Sequence, residues 1–193
     1  MPGLLGIVLS LTLVMMTALG VTREVERGTM ESLLATPVQP LEVMIGKLAP
    51  YVLVGVIQTV VILTLAKGLF DVPMLGGWAA LFTGTLLFII GSLALGFLIS
   101  TASDNQRQAM QLSFFYIMPS VLLSGFMFPF RGMPEWAQII GSMMPVTHFL
   151  RIVRGALLKG HGFSEMSGSL LALAAIMAAI CALAVLRYRK TLD

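Results

Sequence analysis

The densest cluster of charge in the chain lies in Thr22-Arg23-Glu24-Val25-Glu26-Arg27-Gly28-Thr29-Met30-Glu31-Ser32-Leu33-Leu34-Ala35-Thr36-Pro37. Arg23 with Glu26, Glu24 with Arg27 and Arg27 with Glu31 are three or four residues apart, the spacing at which opposite charges meet on a helix surface. Met30, Leu33 and Leu34 supply an apolar side. Thr36-Pro37 forces an exit, because the residue before proline avoids the helical region. A short helix built this way can dock into a groove of another protein, using apolar anchors and oriented charges together.

Other residue types that could do chemistry lack the spacing it needs. The phosphate-binding pattern G-x-x-x-x-G-K-[ST] is absent, and Gly46-Lys47 is followed by Leu48 with no upstream glycine. Ser124-Gly125 lacks the glycine two residues earlier that a rhomboid-like serine site would show, and His148 has no second partner fixed by sequence. There is no H-E-x-x-H, and the single cysteine, Cys181, sits in an apolar run without a partner. The chain is therefore expected to be no enzyme, with no catalytic residues, no metal and no cofactor. Its net charge of +3 is too small and too scattered for nucleic acid.

The elements that would position the charged loop are transmembrane. The 193 residues are 58% hydrophobic and 11% charged, with mean hydropathy +0.95, whereas a soluble domain is about 45–50% apolar and about 25% charged. Five stretches approach the 20 or so apolar residues that a bilayer-crossing helix requires: Leu4 to Val21, Leu48 to Ala66, Trp78 to Ser100, Ala109 to Phe128 and Gly168 to Leu186. None contains Lys, Arg, Asp, Glu or His, which argues against a proton-coupled carrier. Small residues four apart, Ser92 with Gly96 and Ala174 with Ala178 and Ala182, form stripes along which another helix could approach closely.

Between the fourth and fifth stretches, Pro129, Pro134 and Pro145 cut an apolar region into pieces too short to cross. Trp136, Ile139, Ile140 and Met143 make one apolar helical face. Val146, Phe149, Leu150, Val153 and Leu157 make a second, with Thr147, Arg151 and Arg154 opposite. These pieces are expected to be interfacial or re-entrant helices, with Arg151 and Arg154 pairing with lipid phosphates.

Five spans put the chain ends on opposite sides. With the carboxyl end inside, the inner loops carry Arg23, Arg27, Lys47, Arg107, Arg187, Arg189 and Lys190, and the outer side Lys67, Arg131, Arg151, Arg154 and Lys159. The compact Arg187-Tyr188-Arg189-Lys190 cluster is the clearest anchor for a cytoplasmic carboxyl terminus.

The run Arg-Glu-x-Glu-Arg-Gly-Thr-x-Glu-x-Leu-x-x-Thr-Pro from Arg23 to Pro37 resembles the cytoplasmic coupling loop of type-2 ABC exporter permeases. Leu123-Ser124-Gly125-Phe126-Met127-Phe128-Pro129, then Met133-Pro134-Glu135-Trp136 and Pro145, resembles the end of that family's fifth span and its re-entrant outer helices. The resemblance implies a permease dimer, homo- or heterodimeric, over two ATP-binding subunits, with closure of the latter transmitted through the coupling helices. Arg23, Glu24, Glu26, Arg27, Gly28, Thr29, Glu31, Leu33 and Pro37 would form that contact. Pro129, Pro134, Trp136, Pro145, Arg151 and Arg154 would belong to the exit side. Full members have six spans and often a large extracytoplasmic domain before the coupling loop, so this chain is expected either to be a carboxy-terminal portion or to have its missing part supplied from elsewhere.

The fold expectation is an all-α polytopic membrane bundle forming a single domain over residues 1–193. It has about five transmembrane helices, a cytoplasmic coupling loop at 22–47 and an extracytoplasmic re-entrant segment at 129–165. The functional expectation is the permease subunit of an ATP-driven exporter in the cell inner membrane, contacting membrane lipids, no nucleic acid and a separate ATP-binding subunit. The alternative is a secondary transporter or channel independent of ATP.

Overall fold

A computed structural model describes residues 2–27, 40–73 and 75–190. Among these there are seven α-helices and no strand: α1 (Pro2–Glu26), α2 (Pro40–Phe70), α3 (Trp78–Thr101), α4 (Gln106–Leu123), α5 (Glu135–Ser142), α6 (Pro145–Arg154) and α7 (Phe163–Lys190). The all-α polytopic bundle read from the sequence is the architecture observed. Helices are what long apolar runs must become in lipid, because every backbone polar group then finds its partner within the segment.

Among the described residues four helices are long and apolar enough to cross a membrane, over Gly3–Glu26, Gly46–Phe70, Trp78–Thr101 and Phe163–Arg187. The stretch expected from Ala109 to Phe128 is instead the 18-residue α4, which opens on Gln106-Arg107-Gln108 and stops at Leu123. Gly125 follows at φ 82°, a conformation that favours glycine and turns the chain out of the helix. Short as it is, α4 traverses the bundle: its first residue meets Glu26 at one end of α1, and a side chain added to Gly3 at the other end would strike Phe126, just beyond α4.

Neighbour contacts fix the directions of the rest. Gly20 of α1 lies against Tyr51 near the start of α2, while Leu4 and Val8 share a crevice with Ile62, Leu65 and Phe70 near its end, so α2 is antiparallel to α1. Gly96 of α3 meets Val14 and Thr17, and Thr22 bonds Ser100, so α3 runs parallel to α1. Along α3 and α7, Gly84 contacts Leu170 and Gly91 contacts Met177, which makes these two parallel as well. Five helices thus alternate between a Glu26 end and a Gly3 end, with α5 and α6 at the latter.

The centre is built from α1, α3 and α6. Leu5, Leu9 and Leu13 of α1, Phe88, Ile89 and Leu93 of α3, and Phe149, Leu150 and Val153 of α6 form one buried cluster with Leu173 and Met177 of α7. The rings of Phe88 and Phe149 stack at 4.3 Å between centroids. Lipid tails are as apolar as leucine, so close packing rather than expulsion of water holds such helices together. Gly96 shows how close. A Cβ there would lie 2.6 Å from the Val14 carbonyl oxygen. The Ser92–Gly96 stripe is therefore the seat of α1, while Ala178 and Ala182 of the second stripe are exposed. Polar bonds add to the packing: Thr12 of α1 donates to the Gln58 side-chain oxygen of α2 at 2.8 Å.

Candidate functional site

The charged loop enters the structure through the last turn of α1 and leaves it into α2. Arg23, Glu24, Glu26 and Arg27 are described, whereas Gly28, Thr29, Glu31, Leu33 and Pro37 lie outside the described residues. Arg23, Glu26 and Arg27 are exposed at the helix end, and the Arg27 N–H continues the helical pattern to the Arg23 carbonyl at 3.2 Å. Inside this turn the expected pairing of Glu24 with Arg27 gives way to another: Glu24 forms an ion pair with Lys47 of α2. That pair joins the two helices that flank the loop.

Two further bonds fasten the same turn to other helices. Thr22 donates to the Ser100 hydroxyl of α3 at 3.0 Å. Glu26 accepts from the Gln106 backbone N–H of α4 at 2.8 Å and, through its other oxygen, from the Gln106 side-chain amide. The start of α4 is well capped: the Asn105 side chain accepts from the Gln108 N–H at 2.9 Å, and the Gln108 side chain accepts from the Asp104 N–H at 2.9 Å. Glu26 thus sets an anion at the positive end of the α4 dipole, where it is favoured. Thr22 and Glu26, four apart, point to the α3–α4 hairpin, and Glu24, roughly half a turn round by helical geometry, points to α2. Arg187 lies at this end too, lining a crevice with Leu98 and Ile99 of α3, Ala102 just past it, and Leu112 and Tyr116 of α4.

Nothing in the sequence marks Ser100 or Gln106, and Lys47 stands out there as a topology charge and in an incomplete phosphate-loop pattern, not as a partner of Glu24. Asn105 with Gln108 three residues on has the spacing of a capping box and marks where α4 begins, but no local pattern announces a bond across the 80 residues from Glu26 to Gln106.

At the Gly3 end the structure departs from an interfacial α6. Val146, Phe149, Leu150, Val153 and Leu157 are buried as their spacing requires, but Thr147 and His148 on the other side are buried as well. Thr147 donates to the Gly141 carbonyl at 2.6 Å, and the His148 Nε2 lies 2.8 Å from the Ser142 carbonyl. Arg154 turns inward to donate to the Gly125 carbonyl at 2.9 Å. Arg151 alone between Pro145 and Val153 is exposed, with its guanidinium 4.8 Å over the Phe130 ring. The two arginines expected to pair with lipid phosphates are thus engaged within the chain. An amphipathic helix with α1, α3, α5 and α7 packed around it is a component of the bundle, and most of its polar side chains find partners inside it, whereas the buried His148 Nδ1 has none among the described residues.

The prolines punctuate this segment as expected. Pro129 precedes a 3-10 turn at Phe130–Gly132, Pro134 stands at the amino end of α5, and Pro145 opens α6, the position at which a missing N–H costs nothing. On α5 the face of Trp136, Ile139, Ile140 and Met143 exists as read, but it points away from the chain and all four are exposed. The opposite face, Ala137 and Gly141, is buried, and a Cβ on Gly141 would sit 2.5 Å from the Leu123 carbonyl oxygen.

Together these features define a polytopic helical membrane protein with a charged turn fastened to three helices at one end and an inserted helix pair at the other. The profile of the family described as ABC-2 family transporter protein matches residues 1–186, and the chain belongs to that family of membrane permeases. It is 29% identical over 98% of its length to the probable multidrug ABC transporter permease YbhR of Escherichia coli K12, covering 51% of that protein. It is 33% identical over 83% of its length to the probable multidrug ABC transporter permease YbhS of the same strain, covering 43% of it. It is also 31% identical over 98% of its length to the inner membrane transport permease YhhJ, covering 52% of it. The chain spans about half the length of these curated relatives. No solved structure matches it.

Proposed function

We propose that the chain is the transmembrane part of an ABC exporter permease whose ATP is hydrolysed on a separate subunit. That subunit docks at the Glu26 end. The observation that carries this reading is the fastening of the last turn of α1 to α2, α3 and α4 directly before the segment that resembles a coupling loop. A loop used only as a connector needs no such anchoring, whereas one that receives a push must be joined to the helices it moves. Residues 28–39 would supply the contact, with Gly28, Thr29, Glu31, Leu33 and Pro37 among them. The Glu26 end and the carboxyl terminus would face the cytoplasm.

On this reading α5 and α6 with Pro129, Pro134, Trp136, Pro145, Arg151 and Arg154 form the extracytoplasmic side, α6 as a re-entrant helix. The permease would work as a dimer in the inner membrane. The names of YbhR and YbhS suggest drug-like cargo, in keeping with the apolar lining of the helices. The test is affinity purification of the permease from detergent together with an ATP-binding subunit encoded beside it. Co-purification in stoichiometric amounts, with ATP hydrolysis only when both are present, is the expected result. Specific ATP hydrolysis by the purified permease alone would end the proposal.

A further inference from the structure

We infer that Glu26 and Gln106 are positioning residues that carry movement of the coupling segment into α4, and through α4 to the helix pair at the Gly3 end. The inference rests on the coupling reading above and adds a route and two residues to it.

The geometry is that of a joint rather than a chance contact. Both oxygens of Glu26 are engaged by one residue, Gln106, through its backbone N–H and its side-chain amide. A two-point attachment fixes orientation as well as distance, and hydrogen bonds to a charged acceptor are stronger than neutral ones. One donor is the backbone at the first residue of α4, so a displacement of Glu26 acts on the helix itself and not on a flexible side chain. The adjoining Asp104–Gln108 and Asn105–Gln108 bonds stiffen that turn.

The far end of the same helix is also held. Arg154 of α6 bonds the Gly125 carbonyl immediately past α4, and Gly141 of α5 packs on the Leu123 backbone. An 18-residue helix is a rod of about 27 Å, fastened to the coupling turn at one end and to α5 and α6 at the other. The outward side of α4 exposes Phe114, Phe115, Met118 and Leu122. Glu24 bonds α2 and Thr22 bonds α3, whereas Glu26 bonds α4 itself, so loss of the Gln106 joint should weaken the response of α4 more than that of α2.

The experiment uses the permease in full with its ATP-binding subunit, in a Cys181→Ala background, with spin labels read by pulsed electron paramagnetic resonance. One pair, at Met118 and Leu171, reports α4 against α7. A second, at Val61 and Leu171, reports α2 against α7; all three sites are exposed. Complexes are assembled mostly from unlabelled permease, so that one protomer carries the pair. ATP with vanadate is expected to shift both distances in the otherwise unaltered complex. Glu26→Ala, which removes the acceptor of both bonds, should abolish most of the α4 shift and keep the α2 shift, and Glu26→Gln combined with Gln106→Glu, which restores the amide–carboxylate bond in reverse, should keep the α4 shift. A full α4 shift in Glu26→Ala, or equal loss from both pairs, would overturn the joint while leaving ATP coupling intact. Absence of any shift in the unaltered complex would overturn the coupling reading and the joint with it.

Discussion

The guanidinium of Arg154 and the carbonyl of Gly125, 29 residues apart, are joined by a bond of 2.9 Å that ties α6 to the end of α4. Arg154→Ala leaves that half-buried carbonyl without its donor, which costs about 1–3 kcal/mol. The melting temperature of the purified permease in detergent should fall, and Arg154→Lys should recover part of the loss. An unchanged melting temperature in Arg154→Ala would mean that the side chain serves lipid or cargo instead of the fold.

Gly96 and Gly68 offer a paired test of the helix seat. A methyl group on Gly96 collides with the Val14 carbonyl and Thr17 of α1, whereas one on Gly68 meets nothing within 4 Å. Gly96→Ala should destabilise by about 1–3 kcal/mol, the usual penalty for overpacking. Gly68→Ala should be neutral or slightly stabilising, because alanine is the better helix former. Thermal unfolding of the two variants side by side reads the difference.

Glu24→Lys together with Glu31→Lys reverses charge at the coupling segment and places Lys next to Lys47. Like charges across a contact repel, so stimulation of ATP hydrolysis in the assembled transporter should drop while the amount of permease in the membrane holds. Unchanged stimulation would reduce the segment to a connector.

Orientation can be read by thiol labelling in a Cys181→Ala background. Ser32→Cys should react with a membrane-impermeant reagent only after the membrane is opened, and Ser164→Cys, at an exposed position at the start of α7, should react in intact cells. The reverse pattern would put the coupling segment outside.

Much of this architecture is visible in the chain itself, and the reasons are local. Apolar runs free of charge define α1, α2, α3 and α7 because lipid demands both properties at once. The faces of α5 and α6 follow from their 3.6-residue periods, although periodicity could not say which would be covered by the chain and which left open. The end of α4 was missed by five residues because Ser124 to Phe128 continue its hydropathy, and the stop is made by backbone geometry at Gly125. The contacts of Arg151 with Phe130 and of Arg154 with the Gly125 carbonyl are not legible in the sequence, because those partners are brought near only by the fold. For the same reason the spacing along α1 shows the Arg23 charge beside Glu26 but not the bonds of Glu24 to Lys47 and of Glu26 to Gln106.

The central claim, that an ATP-binding subunit meets this permease at residues 28–39, is tested most directly by placing a photo-crosslinking amino acid at Ser32 and, separately, at Ser164 in cells that make both subunits. Illumination should join the Ser32 position to the ATP-binding subunit and leave the Ser164 position unjoined to it. A crosslink from Ser164, or none from Ser32 in cells where the two subunits co-purify, would contradict the account.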